Sequence, residues 1–558
     1  MTTKRTLQSL VFLCLTGSML SSCFFLHYMS STTSTVPSSY TSGGNTIYTS
    51  GKTDSSFSKD NLNKDNIGLG NGYRYLPSTG NSKVLVIPVQ FTDDSFTTVE
   101  LERMANGFFG TAADTGWESL TSYYQKASYG KLTISGEVTS PVTVNQSKSE
   151  FANAYASASK SNTDYTAELL ESTIKSFVSN KNKDFSGYDA NKDGYIDAIW
   201  MVYSAPFVNS SSNSNPYWAY TTWDTSGVVV DETHNLRTCL YSWASVDFLT
   251  EKQYSLNSIL ENSESTNADM HTFIHETGHM MGLDDYYSYD YGEKSSTTGK
   301  TNYDTPVGGV DMMDFNIGGH CAYSRYFLGW ITPTVITDDY LSAHGNALSL
   351  AALEATSATD PQAYLIPSYA NGSTVYNGTP FDEFLLVEYY TPTSLNLTDT
   401  KGYTNGLSTY PTKGVVIYHI NAKIGKMVAN SQGDAIWNGQ VFDSLPLKAS
   451  TSAWGKNYLY TYIYSNTRSY CYDTDISDTS SNFYRGRLIS LLSATGYKIE
   501  GKKTGYADST SLFRDGSTFL GSSGIYTNFV FDNGTKPEYG FSVSSLTNDA
   551  VTLTFNKL

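Results

Sequence analysis

The chain has 558 residues, 39% of them hydrophobic and only 16% charged, with a formal net charge of −17. That length exceeds one ordinary core and predicts two globular domains with tails. The acidic balance repels phosphate backbones and argues against nucleic acid as a partner; its plain use is solubility, with a smaller share for cation ligation.

The first residues read as a targeting segment. Lys4 and Arg5 precede the apolar run "LQSLVFLCLTGSML", which is too short for a comfortable membrane span. The run ends in "LSSC", Leu20 to Cys23, a pattern that resembles a bacterial lipobox. The resemblance implies a lipoprotein signal peptide over residues 1–22, a lipid on the Cys23 sulfur and a cell-surface protein anchored in a bacterial membrane. An ordinary signal peptide or an N-terminal anchor helix is the alternative. Loss of Lys4 and Arg5 would take the charge from −17 to −19. Of the five cysteines, Cys14 and Cys23 belong to this segment, which leaves Cys239, Cys321 and Cys471. Three sparse cysteines are neither a disulfide framework nor a zinc cluster, although one bridge could form.

Residues 23–80 are rich in Ser, Thr and Gly and read as a flexible tether. Order is expected from "KVLVIPVQF", Lys83 to Phe91, a nearly continuous apolar run suited to a buried strand. Pro88 conflicts with that placement, because proline favours an edge or a bulge. "WESLTSYYQKAS" and "TAELLESTIKSFV" read as helices, the second with Leu170, Ile174, Phe177 and Val178 on one face. "KLTISGEV" and "AIWMVYSA" read as strands. Between them, "DANKDGYIDAIW" places Asp189, Asn191, Asp193 and Asp197 at positions 1, 3, 5 and 9 of a loop, with Gly194 for a tight turn and the Tyr195 carbonyl at position 7. Hard oxygen donors so spaced suit structural calcium. Trp200 stands where the closing bidentate glutamate of an EF-hand would be, and an acidic surface turn is the plain alternative. Residues 81–335 thus form a mixed α/β domain. From residue 336 to 558, "FLLVEYY", "GVVIYHI", "YLYTYIY" and "VTLTF" are short, aromatic and β-branched, so this half is mostly β, a sandwich or a sheet packed on the first domain. The fold class is α+β.

The stretch "HTFIHETGHMMGLDDYY", His271 to Tyr287, carries the chemistry. On a helix, His275 and His279 share one face and point two imidazoles at one spot, as a zinc ion requires. Glu276, beside the first histidine, can take a proton from a metal-bound water and hand it to a leaving amine. Gly282 lets the helix stop and the chain turn, which would bring Asp285 round as an oxygen ligand; Asp284 competes for that place. Three protein ligands leave a fourth position open, the mark of a catalytic site. His271 lies one turn earlier on the same face and reads as a buried supporting histidine. With eight histidines in the chain, a chance His-Glu-x-x-His is roughly a one-in-a-hundred event.

"HETGHMMGLDDYY" resembles the zinc signature of the immune inhibitor A-like metallopeptidases of bacteria. "VLVIPVQFTDD", "SYYQKASYGKLTISGEV", "VDMMDFNIGGHCAYSRYFLGWITP", "EFLLVEYY" and "GVVIYHIN" follow that family in order, over about residues 81–420. The resemblance implies a zincin-like, metzincin-type catalytic domain with His275, His279 and Asp285 on zinc and Glu276 as general base. It also implies a methionine in a tight turn beneath the zinc histidines, Met313 or its neighbour Met312. Asp314 and Phe315 stand where many metzincins carry a tyrosine that supports the transition state, so His320 and Tyr323 are the candidates here. Calcium loops occur in the family at the position of Asp189.

The expected function is therefore a secreted, lipid-anchored zinc endopeptidase acting as a monomer on extracellular proteins or peptides, with zinc and a structural calcium as its ions. Its substrate would lie along an edge strand before the zinc helix, taken as "LYSWASVDF". A surface adhesion protein on a protease-like scaffold is the alternative, its many tyrosines serving as a contact platform; a peptidase held latent is a third reading. A degenerate scaffold would be expected to lose Glu276 or a histidine, and neither is lost.

Overall fold

The computed structural model describes residues 57–58, 62–157, 162–179, 184–206, 216–224, 227–250, 267–289, 305–356, 359–370, 373–403, 407–429, 435–442, 445–446, 458–467, 487–496, 506–521, 524–532 and 534–558. The signal segment, Cys14, Cys23 and Cys471 lie outside the described residues. Two compact units emerge, the first built mainly from residues 68–283, the second from residues 284–428 and 436–558. Both mix helices with sheets, in keeping with an α+β chain.

In the first unit the apolar run at Val84 becomes the centre of a sheet. Strand β1 (Gly80–Gln90) pairs in parallel with β2 (Leu132–Val138) on one side and with β4 (Ala198–Tyr203) on the other. A two-residue strand β3 (Val142–Thr143) continues the β2 side. Beyond β4 comes β6 (Leu240–Ser245), also parallel, and then the antiparallel β5 (Tyr220–Trp223). Parallel strands need crossovers, supplied by helices α2 (Thr98–Phe109) and α3 (Leu120–Ala127) between β1 and β2, and by α4 (Asn162–Ser179) before β4. Both faces are covered, so Val84, Leu85, Val86, Ile87 and Val89 are all fully buried, each stabilising the unit by about 1.5–3 kcal/mol. One face packs Leu85, Ile87, Ile199 and Met201 with Leu170 and Ile174 of α4; the side chains of Phe177 and Val178 lie outside the described residues. The other face sets Trp200 against Phe108 and Phe273, with ring centroids 5.7 and 4.9 Å away. Phe273 belongs to the zinc-motif helix, which is thereby seated on the sheet.

The Pro88 conflict resolves through the register. The Val86 carbonyl accepts from Thr139 and the Gln90 carbonyl from Val144, while the Val89 carbonyl between them accepts from Ser204 on the β4 side. Pro88 therefore turns its missing N–H toward the gap between the last β2 pair, Val86–Val138, and the first β3 pair, Val89–Val142. A central strand tolerates proline here because no donor is required.

Two boundaries differ from the sequence reading. Residues 62–80, assigned to the tether, are folded: α1 spans Lys64–Asn71, and Leu62, Ile67, Tyr73, Tyr75 and Leu76 are buried. Tyr73 stacks on Trp223 at 4.5 Å, and Leu76 N–H donates to the Met280 carbonyl at 2.8 Å. These apolar residues are interspersed with polar ones, and Tyr73 and Leu76 meet partners some 150–200 positions away, so no long local run betrays them. The second difference is the unit boundary, which falls after Leu283 and not after residue 335. Residues 284–335 are tied into the β-rich unit by Ala322 N–H to Glu388 (2.6 Å), Gly318 N–H to Asp399 (2.7 Å), Gly319 N–H to Asn396 (2.9 Å) and Leu491 N–H to the Pro306 carbonyl (2.7 Å).

Two sheets of that second unit share a core. One runs β7 (Thr334–Val335), β9 (Ala363–Ala370), β10 (Glu383–Tyr390), β11 (Gly414–Asn421), β12 (Ile489–Leu491). The other runs β8 (Ala347–Ala351), β15 (Ala550–Lys557), β14 (Tyr539–Ser544), β13 (Thr518–Phe519). Ile366, Leu385, Val387 and Ile417 of the first share one core with Leu350, Phe519, Phe541, Leu553 and Phe555 of the second. Among the described residues no helix is long and apolar enough to cross a membrane. Cys239 and Cys321 are buried free thiols.

Glu388 of β10 is 3% exposed, and burial pushes its carboxyl up to about 8, the nearby Arg325 charge only partly opposing. A carboxyl whose folded pKa lies above its unfolded value makes folding less favourable as pH rises between the two. Stability is therefore expected to fall from about pH 4.5 toward pH 8, and Glu388→Gln to flatten that slope in urea melts at pH 5, 6.5 and 8. An unchanged slope would remove Glu388 as its source.

Candidate metal centre

Helix α5 (His271–Met280) buries all ten of its residues. Behind it, the Tyr124 hydroxyl donates to the Ile274 carbonyl at 2.6 Å. The helix ends as the sequence predicts: Gly282 takes φ +98°, in the left-handed region, Gly282 N–H donates to the His279 carbonyl at 2.8 Å, and Leu283 N–H reaches back to Gly278 at 3.1 Å. A Cβ on Gly282 would also stand 3.3 Å from the Tyr75 ring.

This turn assembles the site. His275 Nε2 and His279 Nε2 are 3.0 Å apart, close to the ~3.3 Å expected for two ligands on one tetrahedral zinc with bonds near 2.0–2.1 Å. His279 Nδ1 lies 2.8 Å from the Leu283 carbonyl, which as acceptor fixes the tautomer and leaves Nε2 to face an ion. A carboxylate oxygen of Asp285, itself fully buried, lies within 4.8 Å of a ring nitrogen of each histidine. Asp284 is not in that group; its Oδ2 accepts from the Ser465 hydroxyl at 2.9 Å. The donor set of two imidazoles and one carboxylate fits zinc with a position left over.

Glu276 is 1% exposed. Its Oε2 accepts a hydrogen bond from the Thr221 hydroxyl at 2.9 Å, and Thr221 is held in turn by Ser242 at 2.6 Å. Thr221 lies on β5, so the edge strand itself orients the carboxylate. A second supporting residue is Tyr289, whose hydroxyl donates to Asp285 Oδ2 at 2.7 Å. Neither was named by the sequence reading: Thr221 sits in an unremarkable "AYTTW", and only the tyrosine-rich run after Asp285 hinted at the other. For a peptidase that works through Glu276, Thr221→Val is expected to lower kcat roughly tenfold, the scale of one lost hydrogen bond to a charged group, with KM little changed. A kcat equal to wild type in steady-state assays would show that Thr221 does not position Glu276.

His271 takes the supporting place expected of it. It is buried, with Nδ1 2.6 Å from Asp269, and its ring stacks on Trp117 at 3.9 Å. Met313 is fully buried, as is Met312, and is the second residue of the short helical turn Met312–Phe315 capped by Asp311, whose Oδ1 accepts from Met313 N–H at 2.7 Å. The Met313 carbonyl accepts from Tyr286 N–H at 2.8 Å, next to Asp285. His320 and Tyr323 are each 1% exposed, and His320 is absent from the metal-ligand group. His320 packs on Trp330 and lines a small internal cavity with Asp311, Glu354 and Glu388. Tyr323 packs on Phe327, and burial pushes its phenol well up, so it stays protonated.

The edge strand is a correction. "LYSWASVDF" contains β6, which lies between β4 and β5 and is paired on both sides; β5 is the outer strand. The sequence misleads because Tyr220–Trp223 is only four residues long and carries no clear alternation.

At the acidic loop, Asp189 accepts from Asp193 and Gly194 N–H at 2.9 and 3.1 Å, Asn191 accepts from Asp193 N–H at 3.2 Å, and Asp193 accepts from Tyr195 N–H at 3.0 Å. Asp189, Asp193 and Asp197 do not form one of the three carboxylate and histidine groups close enough to share an ion among the described residues. Arg74 Nε approaches Asp193 at 3.4 Å, a cation the sequence reading did not foresee. Asp197 Oδ1 is buried with no hydrogen-bond partner.

Searches against models of known protein families and against curated proteins find no match to this chain.

Proposed function

We propose that the chain is a zinc-dependent endopeptidase of the zincin kind, lipid-anchored at Cys23 on a bacterial cell surface and acting on extracellular proteins. The observation that carries this reading is the convergence of His275, His279 and Asp285 on one buried point, with the Glu276 carboxylate adjacent on the same helix. Zinc bound there would polarise the scissile carbonyl and bring the pKa of water to about 7. The chain's own residues do the rest. Glu276 accepts the proton of the attacking water and returns it to the departing amine, held in place by Thr221. Strand β5 has no other strand partner among the described residues. An outer strand suits an extended substrate added as a further strand. The mostly parallel sheet with one antiparallel outer strand supports a zincin-like first unit, and the shared core of two sheets supports a sandwich-like second one.

Calcium at the Asp189 loop belongs to the same proposal and rests on the buried Asp197 Oδ1. Millimolar calcium is expected to raise the Tm of the wild type and leave Asp197→Ala unchanged; equal shifts in both would place calcium elsewhere. Against the adhesion alternative, Tyr364, Tyr389, Tyr418 and Tyr539 of the strands are buried and offer no contact surface.

The test of the activity is casein cleavage by the purified full-length chain. Cleavage should stop when a chelator removes zinc and return when zinc is restored. Cleavage by protein shown to hold no zinc would refute the reading.

A further inference from the structure

A second cluster of metal-binding side chains lies in the β-rich unit, outside the peptidase motif. Glu383 on β10 and Asn421 on β11 are directly opposed in register, and His419 stands two residues before Asn421 on the same face of β11. Asp532 comes from a tight turn closed by Gly534 N–H to the Phe531 carbonyl at 2.8 Å. His419 Nε2 is 3.0 Å from Glu383 Oε1, and ligand atoms of Glu383, His419 and Asp532 all lie within 4.8 Å of one another. The first two side chains are 1% and 3% exposed. Phe529 and Phe531 wall the imidazole at 5.3 and 5.8 Å.

Two buried oxygens here have no hydrogen-bond partner: Oε2 of Glu383 and Oδ1 of Asn421, on residues 1% and 2% exposed. Each is the second polar atom of a group already engaged in the cluster. Glu383 Oε1 accepts from Asp532 N–H, and Asn421 Nδ2 donates to Asp532 Oδ2 at 2.8 Å. An unmet buried oxygen costs about 1–3 kcal/mol, more when charged. Two carboxylates with a neutral imidazole carry a charge of −2, which one divalent cation cancels.

We propose that Glu383, His419 and Asp532, with the Asn421 amide oxygen, form a second, structural zinc site that clamps the chain at Phe531 and Asp532 to strands β10 and β11. Zinc is favoured over calcium because an imidazole nitrogen belongs to the set, whereas calcium takes oxygen ligands. The competing arrangement is an ion-free triad. In it burial works against the imidazolium, but the Glu383 hydrogen bond and the Asp532 charge outweigh that and raise the His419 pKa.

The test uses the full-length chain, stripped with a chelator and titrated with zinc, with bound metal counted by mass spectrometry. Wild type should bind two equivalents, His279→Ala one, and His279→Ala/Glu383→Gln none. This count is independent of peptidase activity: a single equivalent that Glu383→Gln removes and His279→Ala does not would uphold this site while overturning the peptidase one. A folded Glu383→Gln protein that keeps the wild-type stoichiometry overturns the proposal. If Glu383→Gln does not fold, the His419 ring resonances of His279→Ala decide: they should shift on one equivalent of zinc, and unmoved resonances overturn the site. Displacement of that zinc by millimolar calcium would overturn the choice of ion.

Discussion

Glu276→Ala is expected to abolish peptide cleavage while zinc stays bound. The carboxylate is not among the three clustered ligands, so its loss leaves the metal's donors intact. On the proposed mechanism what disappears is the proton acceptor, worth on the order of 10²–10⁴ in rate. Since that step occurs in the transition state, kcat should fall and KM stay close to wild type. His279→Ala should differ in kind, losing both zinc and activity. Single-turnover assays on zinc-loaded protein check the prediction. A Glu276→Ala rate within tenfold of wild type would remove Glu276 from the chemistry.

The largest expected loss of stability is at Arg325, in helix α6 (Ala322–Phe327). Its side chain is fully buried and fully engaged: Nε donates to the His320 carbonyl at 2.8 Å, one terminal nitrogen to Leu353 at 3.2 Å, and the other to the Glu354 carboxylate. Glu354 is itself 8% exposed. Arg325→Met would keep much of the volume and strand that carboxylate without its countercharge. Breaking a buried pair from one side costs about 3–5 kcal/mol. Arg325→Met/Glu354→Gln should recover part of the loss, because no buried charge is then left alone. Urea unfolding of the three proteins reads this directly; a single variant less than about 1 kcal/mol below wild type would show that water or another group replaces the guanidinium.

The legible parts of this chain were those whose signal is local. Two histidines four apart and a glycine three residues on dictate a helix, its end and the return of the chain, and the structure brings Asp285 to the histidines by that route. The buried strands at Val84, Ala198, Glu383 and Gly414 announced themselves as apolar runs. What stayed hidden depends on distant partners. Thr221 holds Glu276 across 55 positions, and nothing in either neighbourhood records it. Residues 62–80 looked like tether because their buried aromatics are scattered. Residues 284–335 join the later unit through side chains that satisfy single backbone N–H groups, a pattern with no periodicity. Glu383 and His419, 36 positions apart, meet only through the register of two strands, and in the sequence they read as ordinary polar residues in β segments.

The central claim is that His275, His279 and Asp285 hold zinc, and anomalous diffraction at the zinc edge from crystals of the zinc-loaded chain tests it most directly. The account predicts a peak about 2.0–2.2 Å from the two Nε2 atoms and the Asp285 carboxylate, with a fourth position on the metal open to water. Well-folded, zinc-loaded crystals with no peak at these three residues would contradict it.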